Sequence, residues 1–406
     1  MPARLRRHCM VVDNHYPDVR VERQANALLA RGYAVDVICL RRDGERRVER
    51  QGLLSVYRLP GRRQRGASLL SQLWEYVSFL MLATAMVSMR HLGTPYDSVQ
   101  VHNVPDFLVF SAALPKLTGS GVILDLHDLM PEFFASRFGG RMDSPLVRGV
   151  ALQERLAAAF SDQLLTVTDL WRQTLVNRGI SPDKVTVVMN LPDPSIFRPA
   201  PPRDQPTSGS LTVIYHGTFT HRYGLDLLIR ALAHARERHP LQLLLHGRGE
   251  FLGEMRRMVD KLGLHDSVRF STEPLPTEAL PDLIRSAEMG VIPYRSDVFT
   301  DGILPTKLME YAALGIPAIV SRTPAVEAYF GDDMVRFVEP GSVQGLADAL
   351  SELAARPQLR TALALNALRF AQERRWESEA ATYAAVVERA GRRRNNKSAN
   401  EDRGHE

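Results

Sequence analysis

The run Asp301-Gly302-Ile303-Leu304-Pro305-Thr306-Lys307-Leu308-Met309-Glu310 leads directly into Tyr311-Ala312-Ala313-Leu314-Gly315. This pattern predicts a glycine loop opening into a helix. Pro305 takes the first helical position, where a missing N–H costs nothing, and Gly315 supplies the stop. A helix N-terminus carries partial positive charge, so a lysine in the first turn has the wrong sign unless an anion is bound there. Lys307 therefore points to an anion held among loop, helix end and ammonium, and phosphate is the usual occupant of such a site. Glu310 follows one turn later on the same helix face, placed to accept from the hydroxyls of whatever carries the phosphate. Phosphate plus diol outlines a nucleotide-sugar site. The same residues also read as an ordinary helix opening with a solvated carboxylate.

Such groups need a scaffold, and the chain alternates strand and helix throughout, which predicts an α/β fold with parallel sheets. Expected strands in the first half are Cys9–Asp13, Ala34–Leu40, Leu54–Arg58, Ser98–His102, Val122–Leu126, Gln163–Val167 and Val185–Met189. Helices are expected at Val21–Arg31, Leu69–Arg90, Phe107–Leu117, Pro145–Phe160 and Leu170–Arg178. Prolines and small polar residues then mark a linker over 196–210, and the alternation restarts at Leu211. The expected organisation is a first Rossmann-like domain over 1–195, a second over 211–375, a helix over 376–391 that crosses back to the first domain, and a disordered tail over 392–406. Two doubly wound domains of this kind face an interdomain cleft, and ligands bind at the carboxyl ends of the strands. The polar candidates obey that rule: His102-Asn103, His127-Asp128, His216-Gly217 and His246-Gly247-Arg248-Gly249 each end a strand, and the Asp301–Leu304 loop follows a fifth. Gly217, Gly247 and Gly249 are expected to let backbone N–H groups approach a ligand.

At 406 residues, 45% hydrophobic and 24% charged, the chain has the composition of a soluble globular protein of two or more domains. Between Arg41 and Arg65, nine arginines against Asp43, Glu45 and Glu49 leave a local excess of +6. That patch suits an anionic membrane, an acidic acceptor or plain solvation. No nucleic-acid motif accompanies it, so nucleic acid is not an expected partner. Leu69–Met89 is long enough to span a bilayer, but Gln72 and Glu75 favour a buried or interfacial helix, with peripheral membrane contact expected through 41–90. Cys9 and Cys39, the two cysteines, form no motif, and no apolar leader follows Met1, so a reducing cytosol is expected, at the inner face of the membrane. Neither dinucleotide nor P-loop glycine patterns occur, and no cofactor or metal is expected.

Together, Val101-His102-Asn103-Val104-Pro105-Asp106, Leu124-Asp125-Leu126-His127-Asp128-Leu129-Met130-Pro131-Glu132, Tyr215–Gly224 and Leu304–Tyr311 resemble a retaining, family-4 (group 1) glycosyltransferase of the GT-B fold. The resemblance covers nearly the whole chain. It implies that the second domain binds a nucleotide diphosphate sugar and the first a hydroxyl acceptor, with a lipid-linked or polysaccharide acceptor suggested by the basic, apolar stretch. By position it implies Glu310 on the ribose, backbone N–H groups of Gly302, Ile303 and Leu304 at the distal phosphate and sugar, and His127 near the reacting face. Gly247 and Arg248 would lie by base or diphosphate; His102, Asn103, Asp128 and Glu132 would contact substrate. Where many members have a glutamate eight residues before Glu310, this chain has Gly302 beside Asp301. Thr218 and Tyr223 fall near an expected arginine and lysine, so Lys307 and Arg222 are expected to supply that charge. The rival readings are a sugar-nucleotide epimerase using Asp128 and Glu132, and a non-catalytic assembly subunit.

Overall fold

A computed structural model describes residues 4–61, 69–199 and 209–401. Arg62, Arg63 and Arg65 of the basic run, most of the expected linker and the last residues of the expected tail lie outside the described residues. The chain forms two compact units, one of Met1–Asn190 with Glu377–Glu406 and one of Leu191–Trp376.

In the first unit the elements follow as β1 (Arg7–His15), α1 (Val19–Leu29), β2 (Ala34–Leu40), β3 (Val48–Gln51), β4 (Leu54–Leu59), α2 (Leu69–Gly93) and β5 (Ser98–His102). Then come α3 (Ala113–Leu117), β6 (Gly121–Leu126), α4 (Met130–Phe138), α5 (Pro145–Phe160), β7 (Gln163–Thr166), α6 (Asp169–Asn177) and β8 (Val185–Val187). The sheet order is β3-β4-β2-β1-β5-β6-β7-β8. It is parallel except for β3, which runs antiparallel to β4 at the edge. β1 is buried over His8–Asp13 and β6 along its whole length, as strands covered on both faces are, and each carries an apolar run, Cys9–Val12 and Val122–Leu124.

The second unit contains β9 (Leu211–His216), α7 (Leu225–Ala235), β10 (Leu241–His246), α8 (Leu252–Lys261), β11 (Val268–Ser271), α9 (Leu280–Arg285) and β12 (Met289–Ile292). It continues with α10 (Thr306–Leu314), β13 (Ala318–Ser321), α11 (Pro324–Glu327), β14 (Arg336–Val338), α12 (Val343–Ala355) and α13 (Pro357–Glu373). Its sheet is wholly parallel, in the order β11-β10-β9-β12-β13-β14. Gly290 on β12 leaves room for the Tyr311 ring of α10, which an added Cβ would meet at 2.4 Å.

The last helix, α14 (Trp376–Glu401), packs within the first unit. Tyr383 Oη donates to Gln100 Oε1 on β5 at 2.7 Å, and Glu379 Oε2 accepts from the Met189 N–H at 2.8 Å. At Gly121, where β6 begins, a Cβ would lie 2.2 Å from the Ala390 carbonyl oxygen, so only glycine allows the helix that close. The helix runs on to Glu401, where a disordered tail was expected from residue 392.

Four other local expectations change. Phe107–Leu117 was expected as one helix, but a 3-10 turn over Asp106–Ala112 precedes a short α3. Pro115 lacks an N–H and its ring opposes the carbonyl four residues earlier, so an α-helical ladder cannot run through it. α4 was not expected; Pro131 opens it and Gly139, at φ 63°, ends it. β3 was also not expected, because its exposed polar residues show no buried face. α2 buries only a stripe at four-residue spacing, Phe79, Ala83, Val87 and His91. Leu70, Trp74 and Leu92 on the other side are 80%, 67% and 72% exposed, so the buried alternative for this helix is set aside.

Candidate functional sites at the strand ends

In the second unit, the ends of β9, β10 and β12 and the start of α10 gather the polar candidates. Nothing caps the N-terminus of α10 with a side chain, and Gly315, at φ 70°, closes its far end. Lys307 is only 9% exposed. Its Nζ donates to Tyr294 Oη at 2.6 Å and lies 5.2, 5.3 and 5.2 Å from the ring centres of Tyr215, Tyr223 and Tyr294. No carboxylate comes within 4.0 Å of it among the described residues. Burial lowers its proton affinity, with Tyr223 and Glu310 acting in opposition. Glu310 Oε2 is 3.3 Å from His216 Nε2. Burial, then the neighbouring Lys307, drives His216 down to about 3, so that imidazole is neutral and the contact is not an ion pair. His216 also meets the Tyr311 ring edge-on at 5.2 Å.

The glycines at these ends act differently from expectation. The Gly217 N–H donates to the His246 carbonyl and the Gly247 N–H to that of Ser271, both at 2.9 Å. Those donors extend the sheet and are not open to a ligand. A Cβ at Gly247 or Gly249 would stand 1.8 or 1.9 Å from a backbone oxygen of Gly217 or Phe219, so both glycines serve loop-on-loop packing. Arg248 leans outward, its guanidinium bonded to the Thr272 carbonyl and, at 3.4 Å, to Glu273.

Asp301 and Gly302 lie in a 3-10 turn over Thr300–Gly302. The Gly302 and Ile303 N–H groups, expected at the distal phosphate and sugar, donate within that turn, to Phe299 at 3.1 Å and Thr300 at 3.3 Å; Leu304 follows in the loop before α10. Asp301 accepts from Ser296 Oγ at 2.9 Å, and burial raises its carboxyl. Arg222 lies over the Phe299 ring at 5.5 Å. The neighbouring Arg295 is spent on Asp226, at 2.8 and 2.7 Å.

In the first unit the ends of β5 and β6 hold His102, Asn103, Asp125 and His127. Asp125 is fully buried and accepts from Arg20 through Nε at 2.9 Å and Nη2 at 2.8 Å. Gln24 adds 3.1 Å, and His102 Nδ1 lies 3.2 Å away. Burial opposes ionisation of Asp125, but Arg20 and then His102 outweigh it and hold the carboxyl well below its usual range. Asn103 accepts from the His127 N–H at 3.1 Å and donates to the Asp128 carbonyl, which fixes this turn. His127 Nδ1 is buried and unpartnered, and burial holds the ring down at about 4 against the pull of Asp125. His102, Asp125 and His127 offer ligand atoms within 4.8 Å of one another. Both Asp125 oxygens already bond to the Arg20 cation, and that donor set does not suit a metal.

Glu132, expected to contact substrate, is held here in an ion-pair cluster. Its carboxylate bonds Arg178, which also holds Glu154 at 2.7 Å. Burial raises both acids, Glu154 to about 7. Asp106, fully buried beneath Asn103 at 3.0 Å, is pushed up to about 8 by burial and then by Glu154. A surface depression of about 510 Å³ runs between α5 and the loop that follows α6, past Leu152, Arg155 and Ile180, with no strand-end candidate in its lining.

Sequence reasoning found the histidines, Lys307 and Glu310. It missed Arg20 and Gln100, although a glutamine inside the apolar strand Ser98–His102 was a signal, and it missed Tyr294 at the end of β12.

Two parallel-rich α/β sheets with helices define the class of fold found in GT-B glycosyltransferase structures. Sucrose-phosphate synthase from Thermosynechococcus elongatus superposes with a TM-score of 0.76 at 17% identity, over 95% of this chain and 99% of that one. Anabaena HepE in complex with UDP-glucose gives 0.71 at 14% identity, over 94% and 99%. The family descriptions "Glycosyl transferase 4-like domain" and "Glycosyl transferases group 1" match residues 17–190 and 200–370. The chain belongs to the group 1 glycosyltransferases. It is 30% identical over 253 residues to the MMP alpha-(1->4)-mannosyltransferase of Mycolicibacterium hassiacum, 61% of this chain and 59% of that protein. The chain spans little more than half the length of the curated relatives it matches.

A histidine held near 4 in the fold against about 6.5 unfolded has a defined pH signature. The unfolded chain binds the proton first, so stability falls as pH drops from about 6.5 to about 4 through this group. NMR titration of the His127 ring is expected to show a midpoint near 4. A midpoint at 6 or above contradicts the buried, unpartnered ring.

Proposed function

We propose that the protein is a retaining, metal-independent glycosyltransferase that moves a sugar from a nucleotide diphosphate sugar to a hydroxyl acceptor, in polysaccharide or glycolipid synthesis. The observation that carries the reading is the Lys307 Nζ, buried at an uncapped helix end and bonded to Tyr294 Oη with no carboxylate within 4.0 Å among the described residues, with Glu310 one turn on. The UDP-glucose complex of the structural neighbour HepE supports a nucleotide sugar as donor class. The donor is assigned to the second unit and the acceptor to the first, with Glu310 on the ribose hydroxyls.

Breaking the glycosidic C–O bond puts negative charge on the departing diphosphate and positive charge on the anomeric carbon. Lys307 and the positive end of the α10 dipole, which no side chain caps, stabilise the first of these in the transition state. No side chain among the described residues stands out as a nucleophile, so the transfer proceeds on the front face, with the leaving phosphate taking the acceptor proton. Lys307 supplies the cation, and no metal is required. His127, neutral and unpartnered at Nδ1, is the candidate to contact the sugar near its reacting face. The uncharged exposed stripe of α2, which runs from Leu70 through Trp74 and Met81 to Leu92, favours shallow contact with a membrane and a lipid-linked acceptor. On this reading the protein works at the inner, cytoplasmic face of the membrane.

Product analysis by proton NMR is expected to show the donor's anomeric configuration retained; an inverted product excludes front-face transfer. In the same assay Lys307→Ala lowers kcat roughly 10²-fold or more, the scale of one preorganised charge contact. A loss under threefold means that the diphosphate lies elsewhere. Cosedimentation with phosphatidylglycerol–phosphatidylethanolamine vesicles is expected for the native chain and not for a Trp74→Glu, Met81→Glu double variant. Equal recovery of the two excludes α2 as the contact.

A further inference from the structure

A buried ammonium ordinarily takes a carboxylate partner, because an unpaired charge out of water is costly. Lys307 has an aromatic enclosure instead. Its three rings come from separate segments: Tyr215 within β9, Tyr223 in the turn before α7, and Tyr294 just after β12. They brace one another. Tyr223 and Tyr294 stack with ring centres 4.4 Å apart and planes at 18°, and Tyr215 Oη donates to the Thr218 carbonyl at 2.9 Å. Ring faces attract a cation without neutralising it. The Tyr294 hydroxyl accepts the ammonium's hydrogen bond at 2.6 Å, and burial keeps that phenol protonated. The lysine end also lies against Gly217, where a Cβ would come within 3.2 Å of Cε and 3.4 Å of Nζ.

We propose that Tyr294 is a positioning residue which, with Tyr215 and Tyr223, cages the Lys307 ammonium so that its whole charge stays available to an anionic ligand. The inference rests on Lys307 as the anion-binding group of the proposed reaction and deepens it. A carboxylate in the place of Tyr294 would hold the lysine equally well and cancel the charge. A phenol acceptor holds it and leaves the net charge at +1. The other titratable groups facing the lysine are Glu310 and Tyr311 on α10 and His216 on β9, with His246 on β10 behind. His216 and His246 are both held below their ordinary range by burial, so at neutral pH and above neither adds a competing positive charge.

Tyr294→Phe keeps the ring and removes only the acceptor. In ligand-free protein labelled at lysine, the Lys307 signal is assigned by its loss in Lys307→Arg. Its titration midpoint in Tyr294→Phe is expected to fall by about one pH unit or more, because the charged form loses its hydrogen bond. By calorimetry, UDP or GDP, whichever the native protein binds, is expected to bind at least about tenfold more weakly to the variant. A midpoint equal to that of the native protein overturns the proposal, whatever happens to affinity, since a merely structural tyrosine would alter binding or melting without moving the lysine. Should the native protein bind neither nucleotide, the nucleotide-sugar reading fails, while the lysine titration still decides for or against the cage.

Discussion

The first unit depends on one buried carboxylate. Asp125 sits in the apolar strand Gly121–Leu126 with no access to water, a position several kcal/mol unfavourable for an ion unless partners replace the solvent. Those partners come from across the unit: Arg20 and Gln24 from α1, His102 from β5. Arg20 also reaches the Val188 carbonyl beyond β8 at 3.1 Å. Gln100, 3.3 Å from the same carboxylate, accepts from Tyr383 on α14. Helix, sheet and C-terminal helix thus converge on one negative charge. Asp125 lies two residues before His127, so the same network fixes the strand end whose imidazole is free at Nδ1.

The second unit solves the opposite problem. Lys307 is a buried cation, and nothing anionic meets it within 4.0 Å among the described residues. Where Asp125 is satisfied by a formal counter-charge, Lys307 is satisfied by ring faces and a hydroxyl. A paired ion is a structural element. An ion that is solvated by neutral groups keeps its field, and its energy falls further when an opposite charge arrives. The contrast separates the two clusters by role without reference to any ligand: the Arg20–Asp125 pair is complete in itself, and Lys307 is not.

Alternation of strand and helix made the fold legible in the sequence, and the strands Ala34–Leu40 and Ser98–His102 and the helix Pro145–Phe160 keep the bounds expected of them. Buried parallel strands announce themselves by continuous apolar runs. What failed was local chemistry outside that rule: Pro115 inside a helical pattern, and an edge strand, β3, with nothing to bury. For the sites, residue type at a strand end or helix opening revealed His102, His127, His216, Lys307 and Glu310. Partnership was not legible. Glu132 looked like a substrate ligand because Arg178, 46 residues away, gives no sign in the sequence that it will fold against it. The tyrosines around Lys307 likewise come from three segments, and only the folded chain brings their rings together.

The glycines show why sequence alone overreached at these loops. A glycine that admits a ligand and one that admits a neighbouring loop leave the same mark in the sequence. The structure separates them by what a Cβ would strike. At Gly224, Gly247 and Gly249 it would strike a backbone oxygen at 1.9, 1.8 and 1.9 Å, an obstacle that cannot move without dismantling the loop. At Gly217 the nearest atom is the tip of the Lys307 side chain at 3.2 Å. Backbone packing therefore fixes three of these positions, and they would be glycine in a protein that bound nothing. Gly217, at φ 124°, has its backbone conformation for one reason and the open space beside the ammonium as a second. Among these four glycines it is the one whose missing side chain bears directly on a charged group.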